Sequence, residues 1–182
     1  MIMRNQSYKN LSFIQSIAAL YIVFFLTCSM SVHAQEPISL AGHLGKVSKQ
    51  DLENDTSNTA WFQVEFFGYH PRLTKAQEKI IKSKKFQVVI ILGTWCSDSR
   101  TQVPRLFKLF YDLGINPPVT LITTDRTKKV IEPGFVHITA KYVPYFIFRD
   151  EEGNEIGEII ETPHKSLEAD LAAILKKIKN KK

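Results

Sequence analysis

Apolar runs separated by polar turns outline most of the secondary structure of this chain. The β-branched stretches 86–92 and 118–124 are typical of strands buried on both faces of a sheet. Between them, residues 98–113 place apolar side chains on one helical face, and Gly114 follows as a helix end. The pattern therefore predicts a strand, a helix and a second strand, which is the sequence of a parallel crossover unit.

The flanking segments add a hairpin and two further helices. Residues 145–150 and 155–160 enclose a Glu-Gly-Asn turn, which predicts a hairpin. Thr74 and Gln77 form a capping-box pattern for a helix reaching about Lys84, and a last helix begins near Ser166. Together these elements predict an α/β domain. We expect a mixed sheet of about four strands, with helices on both of its faces.

The segment before this domain is harder to interpret. Residues 35–59 are polar and rich in turn formers, and we read them as an extension or linker preceding a domain at 60–182 with a basic C-terminal tail. Residues 61–69 fit either a strand or a helix. We favour the helix, with Asn58 or Thr59 as its cap.

The first 34 residues have the three-part layout of a secretory signal peptide. Arg4 and Lys9 precede a short apolar run at 17–26, and Ala34 ends a small-residue cleavage pattern. Cleavage after Ala34 would export the protein to the periplasm or cell envelope, or secrete it. Two alternatives stay open: an uncleaved membrane anchor, and a lipoprotein acylated at Cys28. We expect membrane association only if this segment is retained.

The distribution of charge along the chain argues against nucleic acid as a partner. The net charge is +6, and much of the excess lies in two lysine-rich stretches, 82–85 and 176–182. Because no basic motif with interleaved aromatic residues accompanies these stretches, they indicate a solvated patch and a tail rather than a nucleic-acid surface. Oligomeric state is not encoded in any pattern we recognise.

The candidate chemistry centres on the stretch GTWCSDSR, residues 93–100. The chain has two cysteines, and removal of residues 1–34 would leave Cys96 alone. Cys96 falls between the buried strand and its following helix, where free N–H groups and the helix dipole favour a thiolate. The Ser99 hydroxyl, one turn further on, could donate a hydrogen bond to that thiolate. The nearby carboxylate of Asp98 disfavours the negative charge of a thiolate, and the positive charge of Arg100 offsets that effect.

At these residues the chain resembles the thioredoxin superfamily. Trp95-Cys96 stands at the strand-to-helix junction, and Ser99 takes the place of the second cysteine. Pro104 lies inside the following helix, and Val143-Pro144 precedes the hairpin. The resemblance covers about residues 73–179 and implies a thioredoxin-like three-layer sandwich. It also implies a cis-proline at Pro144 beside the cysteine, Trp95 covering one side, and the segment 142–144 (Tyr142, Val143 and Pro144) presenting backbone to a substrate.

The departures from the family pattern matter equally. Ser99 cannot resolve a mixed disulfide as a second cysteine does. Ile90 stands where many thioredoxins bury an acid, and Glu161 stands near a common glycine of the substrate groove. The stretch 125–143 is short and contains Pro133-Gly134, so the middle helix of the family must be curtailed.

Two functions follow from this pattern. The first is an exported protein that performs thiol–disulfide exchange through Cys96 alone, by mixed-disulfide or isomerase-type chemistry. Its partners would be protein thiols or disulfides and a small-molecule thiol reductant. The second is a redox-inert thioredoxin-fold domain that binds a peptide or protein. We expect no cofactor, because the sequence contains no phosphate loop or nucleotide fingerprint, and no metal, because the histidines are scattered without ligand spacing. His137 is the histidine that the fold could bring near Cys96.

Overall fold

The computed structural model describes residues 39–56 and 60–178. Contacts group the chain into two units, and the described residues all belong to the second, Pro37–Lys182. The predicted signal segment 1–34 lies outside the described residues. None of the helices in the described ranges is long and apolar enough to cross a membrane.

Ten elements follow one another in the described ranges. They are β1 (Gly45–Val47), α1 (Lys49–Glu53), α2 (Trp61–Gly68), α3 (Lys75–Ser83), β2 (Gln87–Leu92), α4 (Ser97–Leu113), β3 (Val119–Thr123), β4 (Tyr145–Arg149), β5 (Glu155–Ile160) and α5 (Leu167–Leu175).

The strands form one mixed sheet in the order β1-β3-β2-β4-β5. The central strand β2 runs parallel to β3, pairing Ile90 with Leu121, and antiparallel to β4, pairing Ile90 with Phe146. The strands β4 and β5 form the predicted hairpin. The predicted α/β fold with a mixed sheet is therefore confirmed, with five strands where about four were expected.

The fifth strand comes from the polar segment 35–59. Gly45–Val47 pairs antiparallel with β3, and the short helix α1 follows it. Ser48 caps α1 in a capping box with Asp51. This part of the segment interpreted as a linker is thus built into the domain.

Asp55 holds the same segment to the helical layer. Its buried carboxylate accepts the Leu40 N–H at 3.0 Å and the Trp61 indole N–H at 3.0 Å. Trp61 opens α2, so the helical interpretation of residues 61–69 is correct. Its N-cap is Ala60, which has a φ of 35° and makes no side-chain cap bond. The expected caps, Asn58 and Thr59, lie outside the described residues.

The two faces of the sheet carry different layers. Val88, Ile90 and Leu92 point into the larger core, to which each of α1–α5 contributes. Val89 and Ile91 point into a smaller core on the other face. That face is covered by the segment 124–144, which contains turns and one isolated bridge but no helix. The layers are therefore helices, sheet and an irregular segment, instead of helices on both faces.

Candidate functional site around Cys96

Cys96 is held at the start of the longest helix by backbone hydrogen bonds. It is the N-cap residue of the 17-residue helix α4, with extended backbone angles. Its N–H donates to the Gly93 carbonyl at 2.9 Å, and its own carbonyl accepts the Arg100 N–H at 3.1 Å. The Cys96 side chain makes no cap hydrogen bond. The thiol therefore lies beside the free N–H groups of the first turn, which favour a negative charge.

The sulfur contacts the segment that precedes β4. Cys96 is partly exposed, and its Sγ donates a hydrogen bond to the Val143 carbonyl at 3.1 Å. The Val143-Pro144 peptide bond is cis, and both residues are buried. The fold thus brings together the two halves of the site, 47 residues apart in sequence. The side chain of Tyr142 is 53% exposed at the edge of this contact.

The carbonyl of Pro144 also accepts a hydrogen bond. It accepts the N–H of Glu161 at 2.8 Å, and Glu161 has a φ of 56°. The left-handed backbone region disfavours residues with a side chain. The position near which the family often carries glycine therefore keeps a glycine-like backbone conformation in this chain, although it is a glutamate.

Trp95 forms a wall beside the cysteine. Its indole N–H donates to the Thr124 carbonyl at 2.9 Å, which ties the ring to the end of β3. The ring lies over Gly93 and packs against the smaller core. The guanidinium carbon of Arg126 lies 4.9 Å from the ring centre. At that distance the cation and the ring attract each other.

Ser99 is fully buried, and its hydroxyl does not form the predicted hydrogen bond with the Cys96 thiol. Its hydroxyl accepts the Gly93 N–H at 3.2 Å, and this hydrogen bond closes the turn between β2 and α4. The structure therefore gives Ser99 a bond to the backbone in place of the expected one to the Cys96 thiol. The third position of a helix directs its side chain back toward the preceding turn, which explains the choice of partner.

Arg100 is likewise bonded to the loop. Its Nε donates to the Thr94 carbonyl. The Thr94 hydroxyl is buried and donates to the Leu40 carbonyl at 3.3 Å. Arg100 and Leu40 thus fix the loop that carries Trp95 and Cys96. Within the part of the chain that the structure describes, the Arg100 side chain makes no hydrogen bond or salt bridge with Asp98 or with the sulfur.

Titratable groups around the site have identifiable partners. The hydroxyl and N–H of Thr127 hold the pKa of Asp125 below its usual value. Burial, and then the hydrogen bond to Glu158, raise the pKa of Tyr145. His137 is exposed, and among the described residues it forms no hydrogen bond with Cys96. Within residues 39–56 and 60–178, no group of His, Cys, Asp and Glu is arranged to hold a metal ion.

Sequence patterns did not indicate Gly93 or Arg126 as parts of the site. In the sequence Gly93 indicates only the end of a strand, although a glycine two positions before a tryptophan allows the ring to fold back over the backbone. Arg126 belongs to a polar turn with no periodicity, so only the folded chain places it on Trp95.

These features define a class of protein: an α/β domain whose cysteine caps the helix after the central strand and contacts an X-Pro segment. The thioredoxin family model matches residues 54–175, more than half of the chain, and the chain belongs to the thioredoxin family. Among curated proteins, none matches it.

Solved structures share the fold at low identity. An HIV epitope scaffold has a TM-score of 0.57 and 14% identity, over 78% of this chain and 100% of the scaffold. A protein of unknown function from Pseudomonas aeruginosa has a TM-score of 0.46 and 17% identity, over 64% and 80%. Mitochondrial thioredoxin 3 from Saccharomyces cerevisiae, in its oxidised form, has a TM-score of 0.35 and 21% identity, over 56% and 86%. Of these three structures, the scaffold has a TM-score above 0.5, and its likeness supports the fold and nothing further.

Proposed function

We propose that this chain performs thiol–disulfide exchange with Cys96 as its single nucleophile. The observation that carries the proposal is the position of the Cys96 sulfur. It is partly exposed at the N-terminus of α4 and 3.1 Å from the Val143 carbonyl. A helix N-terminus stabilises the thiolate, which is the form that attacks disulfides.

The reaction begins when the Cys96 thiol loses its proton to solvent. The hydrogen bond to the Val143 carbonyl is then lost, and the N–H groups of the first turn of α4 stabilise the charge. The thiolate attacks one sulfur of a partner disulfide. A bond forms between that sulfur and Cys96, the partner's S–S bond breaks, and the second partner sulfur leaves as a thiolate.

The absence of a cysteine at position 99 decides how the mixed disulfide ends. Ser99 is buried and bonded to Gly93, so it cannot release the partner. A thiol of the partner itself closes the cycle and rearranges the partner's disulfides, or a small-molecule thiol reduces Cys96. The signal-peptide pattern at 1–34 supports a place for this reaction outside the cytoplasm, where disulfides persist.

The test uses the full chain with Cys28→Ser, so that Cys96 is the only cysteine. Its reaction with dithiodipyridine releases a chromophore and is followed with the protein folded and in denaturant at neutral pH. We expect the folded chain to react about tenfold faster, because the N–H groups at the start of α4 face the sulfur that attacks the reagent. The matched Cys28→Ser, Cys96→Ala chain should not react. A folded chain no faster than the denatured one would contradict the proposal.

The alternative is a redox-inert domain that binds a peptide. The observation that favours it is the presence of exposed apolar side chains on the segment 124–144: Tyr142, 53% exposed, adjoins the Val143 that contacts Cys96, and Val136 is 65% exposed. Binding of this kind would survive Cys96→Ala and fail in Tyr142→Ser. Thiol exchange would show the opposite order of sensitivity.

A further inference from the structure

The segment that covers Cys96 carries an excess of positive charge. Residues 125–142 contain four cations, namely Arg126, Lys128, Lys129 and Lys141, and two acids, Asp125 and Glu132. This segment supplies much of the smaller core against which Trp95 and Cys96 pack. The rim of the site formed by this segment is therefore basic.

The carboxylates of both acids in the segment accept hydrogen bonds from other residues. The Asp125 carboxylate accepts the N–H of Thr127 at 2.8 Å and also its hydroxyl. The Glu132 carboxylate accepts the N–H of Lys46 at 3.0 Å. Neither acid forms a salt bridge with a cation of the segment in the part of the chain that the structure describes.

Two cations lie beside the residues around Cys96: Arg100, whose Nε is bonded to the Thr94 carbonyl, and Arg126, which lies on Trp95. The Arg126 guanidinium rests on the ring of Trp95, and Trp95 directly precedes Cys96. No salt bridge involves Arg126 among the described residues, and its side chain is exposed. A guanidinium on an aromatic ring keeps its N–H edges available for a carboxylate.

We infer that Arg126 selects partners that carry a carboxylate next to the reacting sulfur. The inference rests on the proposed function and names its substrate class: acidic thiols and disulfides. The covalent step is unchanged, since the Cys96 thiolate still forms one S–S bond and expels one partner thiolate. Arg126 is a specificity residue that attracts the partner. Asp98, in the first turn of α4, would repel a carboxylate. Whether Cys96 prefers an acidic or a neutral partner therefore tests which of the two charges dominates.

Iodoacetate and iodoacetamide form the first pair of probes, because they alkylate a thiolate alike and differ in charge. The full chain with Cys28→Ser is compared with the same chain carrying Arg126→Gln, Arg126→Lys or Lys85→Gln. Lys85 precedes β2, and Cys96 follows the other end of that six-residue strand, so Lys85 lies roughly 20 Å away. Lys85→Gln therefore changes the net charge equally without changing the site.

We expect Arg126→Gln to lower the rate ratio of iodoacetate to iodoacetamide about threefold at low salt, and 0.5 M salt, on the order of a 4 Å screening length, to remove the difference. Arg126→Lys should keep most of the ratio, and Lys85→Gln should keep all of it. An unchanged ratio in Arg126→Gln, with normal iodoacetamide reactivity, would overturn this inference alone. Slow iodoacetamide reaction in every chain would overturn the proposed function and this inference with it.

Two further pairs of probes identify the source of the carboxylate. The disulfide of thioglycolate is compared with that of mercaptoethanol, and a peptide disulfide flanked by glutamates with one flanked by glutamines. An Arg126-dependent preference for the acidic member of the small pair supports a small thiol acid as the partner. The same preference in the peptide pair supports an acidic protein segment. No preference in either pair overturns the inference.

Discussion

The indole ring of Trp95 lies so close over Gly93 that a Cβ on the glycine would come within 2.6 Å of it. Gly93 also donates its N–H to the Ser99 hydroxyl and accepts the N–H of Cys96. One glycine therefore contacts three residues that the sequence indicates as parts of the site. The shape of the site depends on the absence of a side chain at position 93.

Gly93→Ala tests this dependence. Real Cβ contacts do not occur at 2.6 Å, so the ring of Trp95 must move, and its hydrogen bond to the Thr124 carbonyl must lengthen or break. We expect a loss of about 1–3 kcal/mol in the free energy of unfolding. Urea denaturation followed by tryptophan fluorescence measures it, and the folded-state spectrum should shift as the ring moves.

Gly68→Ala is the matched control. Gly68 ends α2, and a Cβ there would meet no heavy atom within 4 Å. Replacing it should leave stability unchanged or raise it by up to about 1 kcal/mol, because alanine restricts the unfolded chain. Equal effects of the two substitutions would contradict the packing of Trp95 on Gly93.

Ser99→Cys should restore a dithiol site. Position 99 lies one helical turn from Cys96, so a half-turn of the side chain away from Gly93 would bring two sulfurs together. In the Cys28→Ser background we expect mild oxidation to form an internal disulfide, detected as the loss of two hydrogens in the intact mass. Two thiols that stay free and alkylatable under oxidant would show that the side chains diverge.

Ser99→Ala separates the hydrogen bond from the thiol chemistry. It leaves the buried N–H of Gly93 without its hydroxyl acceptor, at a cost of about 1–3 kcal/mol. The variant should lose stability in urea but keep the Cys96 reaction, since the structure gives Ser99 no bond to the sulfur. Loss of reactivity at unchanged stability would return Ser99 to the role expected from sequence.

The strands and helices were predictable where the spacing of apolar residues shows which side chains are buried. The run 87–92 is buried on both faces and is β-branched, and α4 repeats its apolar residues every three to four positions. Strand β1 has no such pattern, since its three residues alternate buried and exposed in a polar stretch. Pairing with β3 decides its structure, and that contact spans about 75 residues.

The site was predictable to the extent that residue identity fixes it. Cys96 was indicated by its position between a buried strand and a helix, and Pro144 through a resemblance. The structure places the carbonyl preceding Pro144 against the sulfur. The partners of Ser99 and Arg100 were not predictable, because a hydroxyl or guanidinium has several backbone groups in reach. Only the turn geometry selects Gly93 and Thr94 among them.

Asp55→Asn tests the link between the N-terminal segment and the domain. The amide keeps the shape of Asp55 but has one acceptor oxygen for two N–H donors, those of Leu40 and Trp61. One donor is then left unsatisfied, and we expect a loss of about 1–3 kcal/mol in urea denaturation. Because Leu40 also accepts the Thr94 hydroxyl, hydrogen exchange at the loop 93–95 should accelerate.

Asp112→Asn provides the comparison for Asp55. Asp112 pairs with Lys108 on the helix surface, and pairs of this kind contribute about 0.3–0.5 kcal/mol. If Asp55→Asn cost no more than this and left the exchange at 93–95 unchanged, the segment would not support the loop.

Glu168 couples stability to pH at the start of α5. Its buried carboxylate accepts the Tyr69 hydroxyl at 2.6 Å and the Arg72 N–H at 3.1 Å. Burial alone would raise the pKa of Glu168, but the hydrogen bonds outweigh burial and hold that pKa below its ordinary value of 4.5. Folding therefore favours the carboxylate. Its contribution is fully present above about pH 4.5 and is lost as the pH falls through the lowered folded-state pKa.

Glu168→Gln should remove this contribution. At pH 7 we expect the variant to be less stable by about 1.5–3 kcal/mol, because its hydrogen bonds no longer involve a charged acceptor. Below the folded-state pKa the wild-type carboxyl is also neutral, so the difference between the two chains should shrink. Urea denaturation at pH 7 and at a series of pH values falling from 4.5 follows the difference, with the exposed Glu78→Gln as control. A difference that stays constant with pH would show that Glu168 stabilises the fold by packing and not by charge.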